Sequence, residues 1–292
     1  MLNTFPFQSF FIINLIASTF FVMSSQSWLS VWCGLEYNLI SFIPILMTSP
    51  STKSTEAAIK YFIVQALASI ILLLSSMIMK FNVSIYMQLF ILLSLMVKMG
   101  VAPFHQWVPN VISSISWGNL FLMLSWQKLA PIFVFAYSIQ PYFSTTLMSL
   151  AALSSVTGGV GGMNQSQIRP LIAFSSIGHM GWILTAALIS PFILFIYFSI
   201  YMINLFPLVT VLNSLSSTSL TSSMNFMKLK FSNAVTLILL FFSLGGLPPL
   251  LGFMPKLLVI NSLVSSFSFF LLTALVVGSL LNIYYYFSFS IV

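Results

Sequence analysis

The sequence predicts an all-α fold: a polytopic membrane bundle of about ten helices, two of them discontinuous and set in inverted repeats. Three observations lead there. Hydrophobic residues make up 59% of the 292 and charged residues only 4%, whereas a water-soluble domain carries about 25% charged residues. Apolar runs of about 20 residues, the length that crosses a bilayer, recur along the chain. Two runs are longer than one crossing needs, and both contain Gly/Pro clusters that interrupt a helix.

Taken in order, polar, Gly and Pro clusters divide the chain into spans 3–23, 26–47, 56–80, 84–112, 117–137, 144–163, 167–189, 192–214, 232–262 and 266–290. They form a single transmembrane domain, 1–292. The first run, "MLNTFPFQSFFIINLIASTFFVM", has no basic flank before it and no clear small-residue cleavage site. It reads as a membrane helix, neither a secretory signal nor an Arg-rich transit peptide. An apolar chain without a presequence suits synthesis in the compartment that uses it. The third span opens on Glu56, with Ser54 or Thr55 as its cap. The fourth, about 84–112, breaks at "KMGVAPF", and the ninth, about 232–262, at "LGGLPPLLGF". The seventh opens with Pro170 in its first turn, where a missing N–H is tolerated.

The net charge of +7 comes from eight Lys and one Arg against Glu36 and Glu56. So few charges cannot form a nucleic-acid patch. The single Cys33 excludes a disulfide within the chain and an iron–sulfur cluster held by this chain alone. Ten spans put both termini on one side. Lys53, Arg169, Lys228 and Lys230 fall on that side and only Lys80 opposite, so the termini face the synthesising compartment. The longest connection, "SSTSLTSSMNFMKLK", lies on that side too. Glu56 and Lys60 have the spacing of a helical ion pair.

Four charges lie where lipid disfavours them. Glu36 is near the middle of span two, Lys98 just before the break in span four, Lys128 near the middle of span five, and Lys256 just after the break in span nine. A charge at mid-membrane is disfavoured by about 2.5–3.5 kcal/mol on insertion scales. Such residues face the protein interior, find partners, and mark ion paths. His179, in mid-span seven, and His105, after the first break, can both donate and accept hydrogen bonds. The two broken spans are five apart and so run in opposite directions, the arrangement that places an ion site at the midplane. Glu36 and Lys98, of opposite sign, are expected to approach each other.

The stretches "WCGLEYNLISFIP", "EAAIKYFIVQALAS", "KMGVAPFHQWVP", "WQKLAP", "GGMNQSQIRPLIAFSSIGHMGW" and "LGGLPPLLGFMPK" closely resemble the chain 2 family of mitochondrial NADH–ubiquinone oxidoreductase, respiratory complex I. The resemblance runs from about Trp32 to Lys256 and keeps the family order. It implies an antiporter-like, proton-pumping membrane-arm subunit in the mitochondrial inner membrane, with its termini on the matrix side. In that family a Glu and a Lys pair in one half-channel, a second Lys links to the other half, and a third lies on the second broken helix. The matching residues here are Glu36 with Lys98, then Lys128, then Lys256, with His179 where the family has a polar link. The resemblance also places NADH, FMN, the iron–sulfur clusters and ubiquinone on other subunits, and makes accessory and membrane-arm subunits the partners, with lipid around them. Many relatives continue with another helix after the stretch matching "LLNIYYYFSFSIV", so ten helices are expected here.

The mechanism this implies is a row of buried groups whose proton affinities change together. Burial disfavours a charged form and a nearby opposite charge favours it. Two other readings stay open: a cation/proton antiporter outside respiration, and a structural spacer whose charges only fix helix packing.

Overall fold

A computed structural model describes residues 5–48, 51–79, 84–139, 141–216, 231–266 and 268–291. Regular structure among them is helical throughout. In chain order it runs α1 Phe5–Ser24, α2 Trp28–Leu46, α3 Thr52–Ile78, α4 Ser84–Met99, α5 Trp107–Ile112, α6 Trp117–Leu124, α7 Trp126–Ser138, α8 Ser144–Met163, α9 Ile168–Ile189, α10 Pro191–Ser216, α11 Phe231–Gly245, α12 Phe253–Ser265 and α13 Phe269–Ile291. With α6 and α7 counted as one crossing, 8 elements are long and apolar enough to span a membrane. The expected spans four and nine are the interrupted pairs α4–α5 and α11–α12. Large apolar side chains such as Phe10, Phe20, Ile63 and Phe270 are exposed, as a lipid-facing surface requires.

Both breaks fall where the sequence places them. After α4 the chain enters the left-handed region at Gly100, φ +73°, and after α11 at Gly246, φ +81°. Only glycine adopts that conformation readily, so each Gly ends its helix by geometry. The downstream prolines then withhold backbone donors.

Two local expectations need correction. The cap of α3 is Ser51, not Ser54 or Thr55: its hydroxyl accepts from Ser54 N and the helix begins at Thr52, a turn before the apolar pattern does. Span five is two helices that meet at Ser125, whose backbone sits at φ −108°, ψ −77°. The Ser125 hydroxyl bonds back to the Phe121 carbonyl, and such back-bonding bends helices. Pro131 inside α7 further weakens the first turns of that helix by leaving the carbonyl four residues back without its usual donor.

The chain divides into two compact units, one of Met1–Gly100 with Phe104–Phe143, the other of Val101–Pro103 with Ser144–Val292. In the first, α2 and α4 both pack on α3, and α7 packs on α1, α2 and α4. In the second, α8 lies between α9 and α13, and α10 contacts α9, α11 and α12. The α8–α9 seam is built on small residues: a Cβ on Gly158 would overlap the Gly178 backbone, and one on Gly181 would come 2.6 Å from the Ala151 carbonyl. Close backbone approach of this kind supplies the van der Waals contact that holds membrane helices together. Gly158→Val is expected to destabilise this unit by about 1–3 kcal/mol, the range for overpacking, seen as a lower melting temperature in detergent with α9 the first element to lose protection from hydrogen exchange.

Candidate functional site

In the first unit three helices converge on Lys98. It lies in the last turn of α4, where a cation suits the helix dipole, and is 7% exposed. Carbonyls in the last turn of α4 also accept from side chains. Gln65 Nε2 on α3 donates to the Lys98 carbonyl at 3.4 Å, and Trp107 Nε1 on α5 donates to the Val97 carbonyl at 3.2 Å. The break is therefore held open by hydrogen bonds, with Lys98 at its edge.

Lys128, 4% exposed, stands on the first turn of α7 just after the Ser125 bend. Lys98 and Lys128 line one cavity of about 10 Å³ together with Tyr61, Trp107, Met123 and Gln127. A second cavity of about 10 Å³ joins Lys98 to Asn38, Gln65, Tyr61 and Gln127. Each has room for about one water molecule.

Glu36 lies on α2 and is within electrostatic range of Lys98. One of its carboxylate oxygens, Oε1, is buried without a hydrogen-bond partner among the described residues. The two side chains are neighbours without a direct ion pair. A buried carboxylate oxygen without a hydrogen-bond partner is a costly feature.

Side chains that sequence reasoning passed over complete this cluster. The Tyr61 hydroxyl donates to Gln127 Oε1 at 3.0 Å, and Gln127 Nε2 donates to Asn38 Oδ1 at 3.2 Å. The ring of Tyr61 is clamped between Phe42, 5.4 Å away edge-on, and Trp107, 5.8 Å away. A single polar chain thus crosses α3, α7 and α2 beside both lysines.

In the second unit His179 and Lys256 meet the end of the other broken helix. His179 Nε2 contacts the Leu244 carbonyl at 3.0 Å, and Lys256 Nζ donates to the Gly245 carbonyl at 2.6 Å. These are consecutive carbonyls in the last turn of α11, groups that a helix terminus leaves without partners. A carbonyl only accepts, so Nε2 carries a hydrogen. Nδ1, 3.0 Å from the Tyr197 hydroxyl, then accepts from Tyr197 when the ring is neutral and donates to it when the ring is protonated. The tautomer follows from the network around the ring. Gly246 backs the lysine: a Cβ there would come 2.7 Å from Lys256 Nζ. The face of Trp182 lies 5.7 Å from the same Nζ, within cation–π range. His179, Tyr197, Tyr201, Asn204 and Ser243 line a further cavity of about 10 Å³.

Among the described residues, the other charged side chains and His105 do not line these cavities. Lys53, Glu56 and Lys60 are exposed, and among the described residues the expected Glu56–Lys60 ion pair is not formed; both side chains extend outward instead. Arg169 is half-buried at the start of α9 and His105 half-buried in the turn between α4 and α5. Lys80, Lys228, Lys230 and most of the "SSTSLTSSMNFMKLK" connection lie outside the described residues.

The transmembrane family described as NADH:quinone oxidoreductase/Mrp antiporter matches residues 25–282. The NADH-ubiquinone oxidoreductase chain 2 of Lumbricus terrestris is 40% identical over 94% of this chain and 82% of its own length. That of Nyctophilus arnhemensis is 42% identical over 95% of this chain and 83% of its own. Among solved structures, a chain of respiratory complex I from Thermus thermophilus shares the fold with a TM-score of 0.81 at 22% identity, over 96% of this chain and 69% of that one. A chain of the Mrp complex from Dietzia sp. DQ12-45-1b does so with a TM-score of 0.83 at 17% identity, over 95% of this chain and 58% of that one. By these matches, the chain belongs to the NADH:quinone oxidoreductase/Mrp antiporter transmembrane family, among its NADH-ubiquinone oxidoreductase chain 2 members.

Proposed function

We propose that this chain is a proton-translocating membrane subunit of NADH:ubiquinone oxidoreductase, in which Glu36, Lys98, Lys128, His179 and Lys256 act as a series of groups that exchange protons. The observation that carries the reading is the placement of Lys98 and Lys128 around one cavity the size of a water molecule. Two buried lysines lining one cavity in a low dielectric influence each other's charge. Glu36, in electrostatic range of Lys98, biases that exchange when its distance changes. In the second unit, protonation of His179 reverses the Tyr197 hydrogen bond and alters the field at the carbonyl next to the one that holds Lys256.

The redox energy enters from other subunits, which carry NADH, FMN, the iron–sulfur clusters and ubiquinone. The partners are the membrane-arm and accessory subunits of that complex, and the membrane is the mitochondrial inner membrane, with both termini on the matrix side by the distribution of basic residues. The experiment is purification in mild detergent followed by reconstitution. This reading expects the chain to copurify with redox subunits and to take up protons only during quinone reduction. Purification without redox subunits, with cation-driven proton exchange, contradicts it in favour of a free-standing antiporter.

A further inference from the structure

The polar chain Tyr61–Gln127–Asn38 has a direction, and that direction bears on how Lys98 and Lys128 communicate. A tyrosine hydroxyl has one hydrogen and two lone pairs. Here the hydrogen is committed to Gln127 Oε1 at 3.0 Å. Gln127 is fixed in turn by its donation to Asn38 Oδ1 at 3.2 Å. Tyr61 lines the cavity shared by the two lysines, and with its hydrogen committed its oxygen can only accept there. Tyr61 is 3% exposed and its ring is clamped by Phe42 and Trp107, so the oxygen is held in place.

We propose that Tyr61 positions the water through which Lys98 and Lys128 exchange a proton, and that Gln127 sets the polarity of Tyr61. The proposal rests on the lysine relay described above. The water donates one hydrogen to the Tyr61 oxygen and the other to the neutral lysine, and accepts from the protonated one. In the transfer, an N–H bond of the Lys98 ammonium breaks and its proton joins the water oxygen. The water's O–H bond toward Lys128 breaks as an N–H bond forms on Lys128 Nζ. Charge moves from one lysine to the other and the water is regenerated.

The same amide chain has a second self-consistent arrangement. If both amides turn over, Asn38 donates to Gln127, Gln127 donates to Tyr61, and the tyrosine hydrogen points into the cavity. The water oxygen then accepts from Tyr61 as well as from the ammonium, which lowers its basicity and disfavours its taking up the transferred proton. Asn38 lies two residues from Glu36 on α2, so a shift of that helix acts on the polarity of the bridge as well as on the electrostatics of Lys98.

The test compares Tyr61→Phe, Gln127→Met, Lys128→Met and the double variant Tyr61→Phe/Lys128→Met in membranes with matched amounts of assembled complex. Tyr61→Phe and Gln127→Met are each expected to slow proton-coupled quinone reduction about tenfold, the rate equivalent of one net hydrogen bond, and to enlarge its solvent deuterium isotope effect. Tyr61→Phe is expected to lower nothing further in the Lys128→Met background. If Lys128→Met is impaired but both other variants keep a normal rate, or slow without any change in isotope effect, the water bridge is overturned and the lysine relay stands. If Lys128→Met itself is normal, the relay falls and this inference with it.

Discussion

Lys128→Met is expected to lower proton-coupled quinone reduction on the order of 10²-fold, the contribution of a positioned proton-transfer group, while assembly of the complex changes little. Methionine has similar length and fills the space between α6, α7 and α4 without a charge. It lacks both the ammonium's hydrogen-bond donors and a group that gains and loses a proton. Lys128→Arg is expected to fail as well, because a guanidinium keeps its proton at any relevant pH. The pair of variants separates charge from exchange: Arg supplies the first and withholds the second. The check is the rate of NADH-driven quinone reduction per assembled complex, with assembly scored by native electrophoresis.

Lys256→Met has the second largest expected effect and a different signature. Lys256 Nζ donates to the Gly245 carbonyl at 2.6 Å and is 3% exposed. Removing the donor leaves a buried acceptor at the end of α11, a loss of about 1–3 kcal/mol. The variant is therefore expected to lose both coupled turnover and thermal stability, whereas in Lys128→Met the loss of turnover is expected to exceed the loss of assembly. Lys256→Arg keeps a donor for that carbonyl and is expected to recover much of the stability without recovering turnover. Melting temperature and turnover measured on the same preparations decide this; recovery of both by Arg assigns Lys256 an anchoring role only.

The gross architecture was legible because bilayer thickness and backbone chemistry constrain it directly. Apolar length located the crossings, and Gly100 and Gly246, each beside prolines, located the breaks. The bend at Ser125 was not legible, since it carries neither Gly nor Pro and depends on a serine hydroxyl turned back on its own helix. Buried charges stood out in the sequence because lipid tolerates them so poorly; Tyr61, Asn38, Gln65 and Gln127 did not, because uncharged polar residues occur on many membrane helices. One signal was present: Gln65 and Asn38 sit among apolar neighbours, and Gln127 adjoins Lys128. Their convergence depends on how α2, α3 and α7 pack, which periodicity does not specify. The Glu36–Lys98 relation was legible in kind but not in degree, as the two are neighbours in electrostatic range and not a closed ion pair.

The distribution of roles between the two units also follows from particular residues. At the first break, Gln65 and Trp107 donate to carbonyls of the last turn of α4, and Lys98 lines the cavity. At the second, His179 and Lys256 themselves donate to carbonyls of the last turn of α11. A proton leaving Lys256 or arriving at His179 changes the charge on a donor to these carbonyls, and with it the strength of the hydrogen bond that donor makes to the end of α11.

The central claim is that protons move through these side chains during quinone reduction. It is tested most directly by measuring proton uptake and quinone reduction together, in sealed membranes holding matched amounts of the complex with the unaltered chain and with Lys128→Met. The account predicts that the unaltered complex couples the two and that the variant loses both proton uptake and coupled turnover. Normal coupled rates with methionine at position 128 would contradict it and leave the chain a structural spacer.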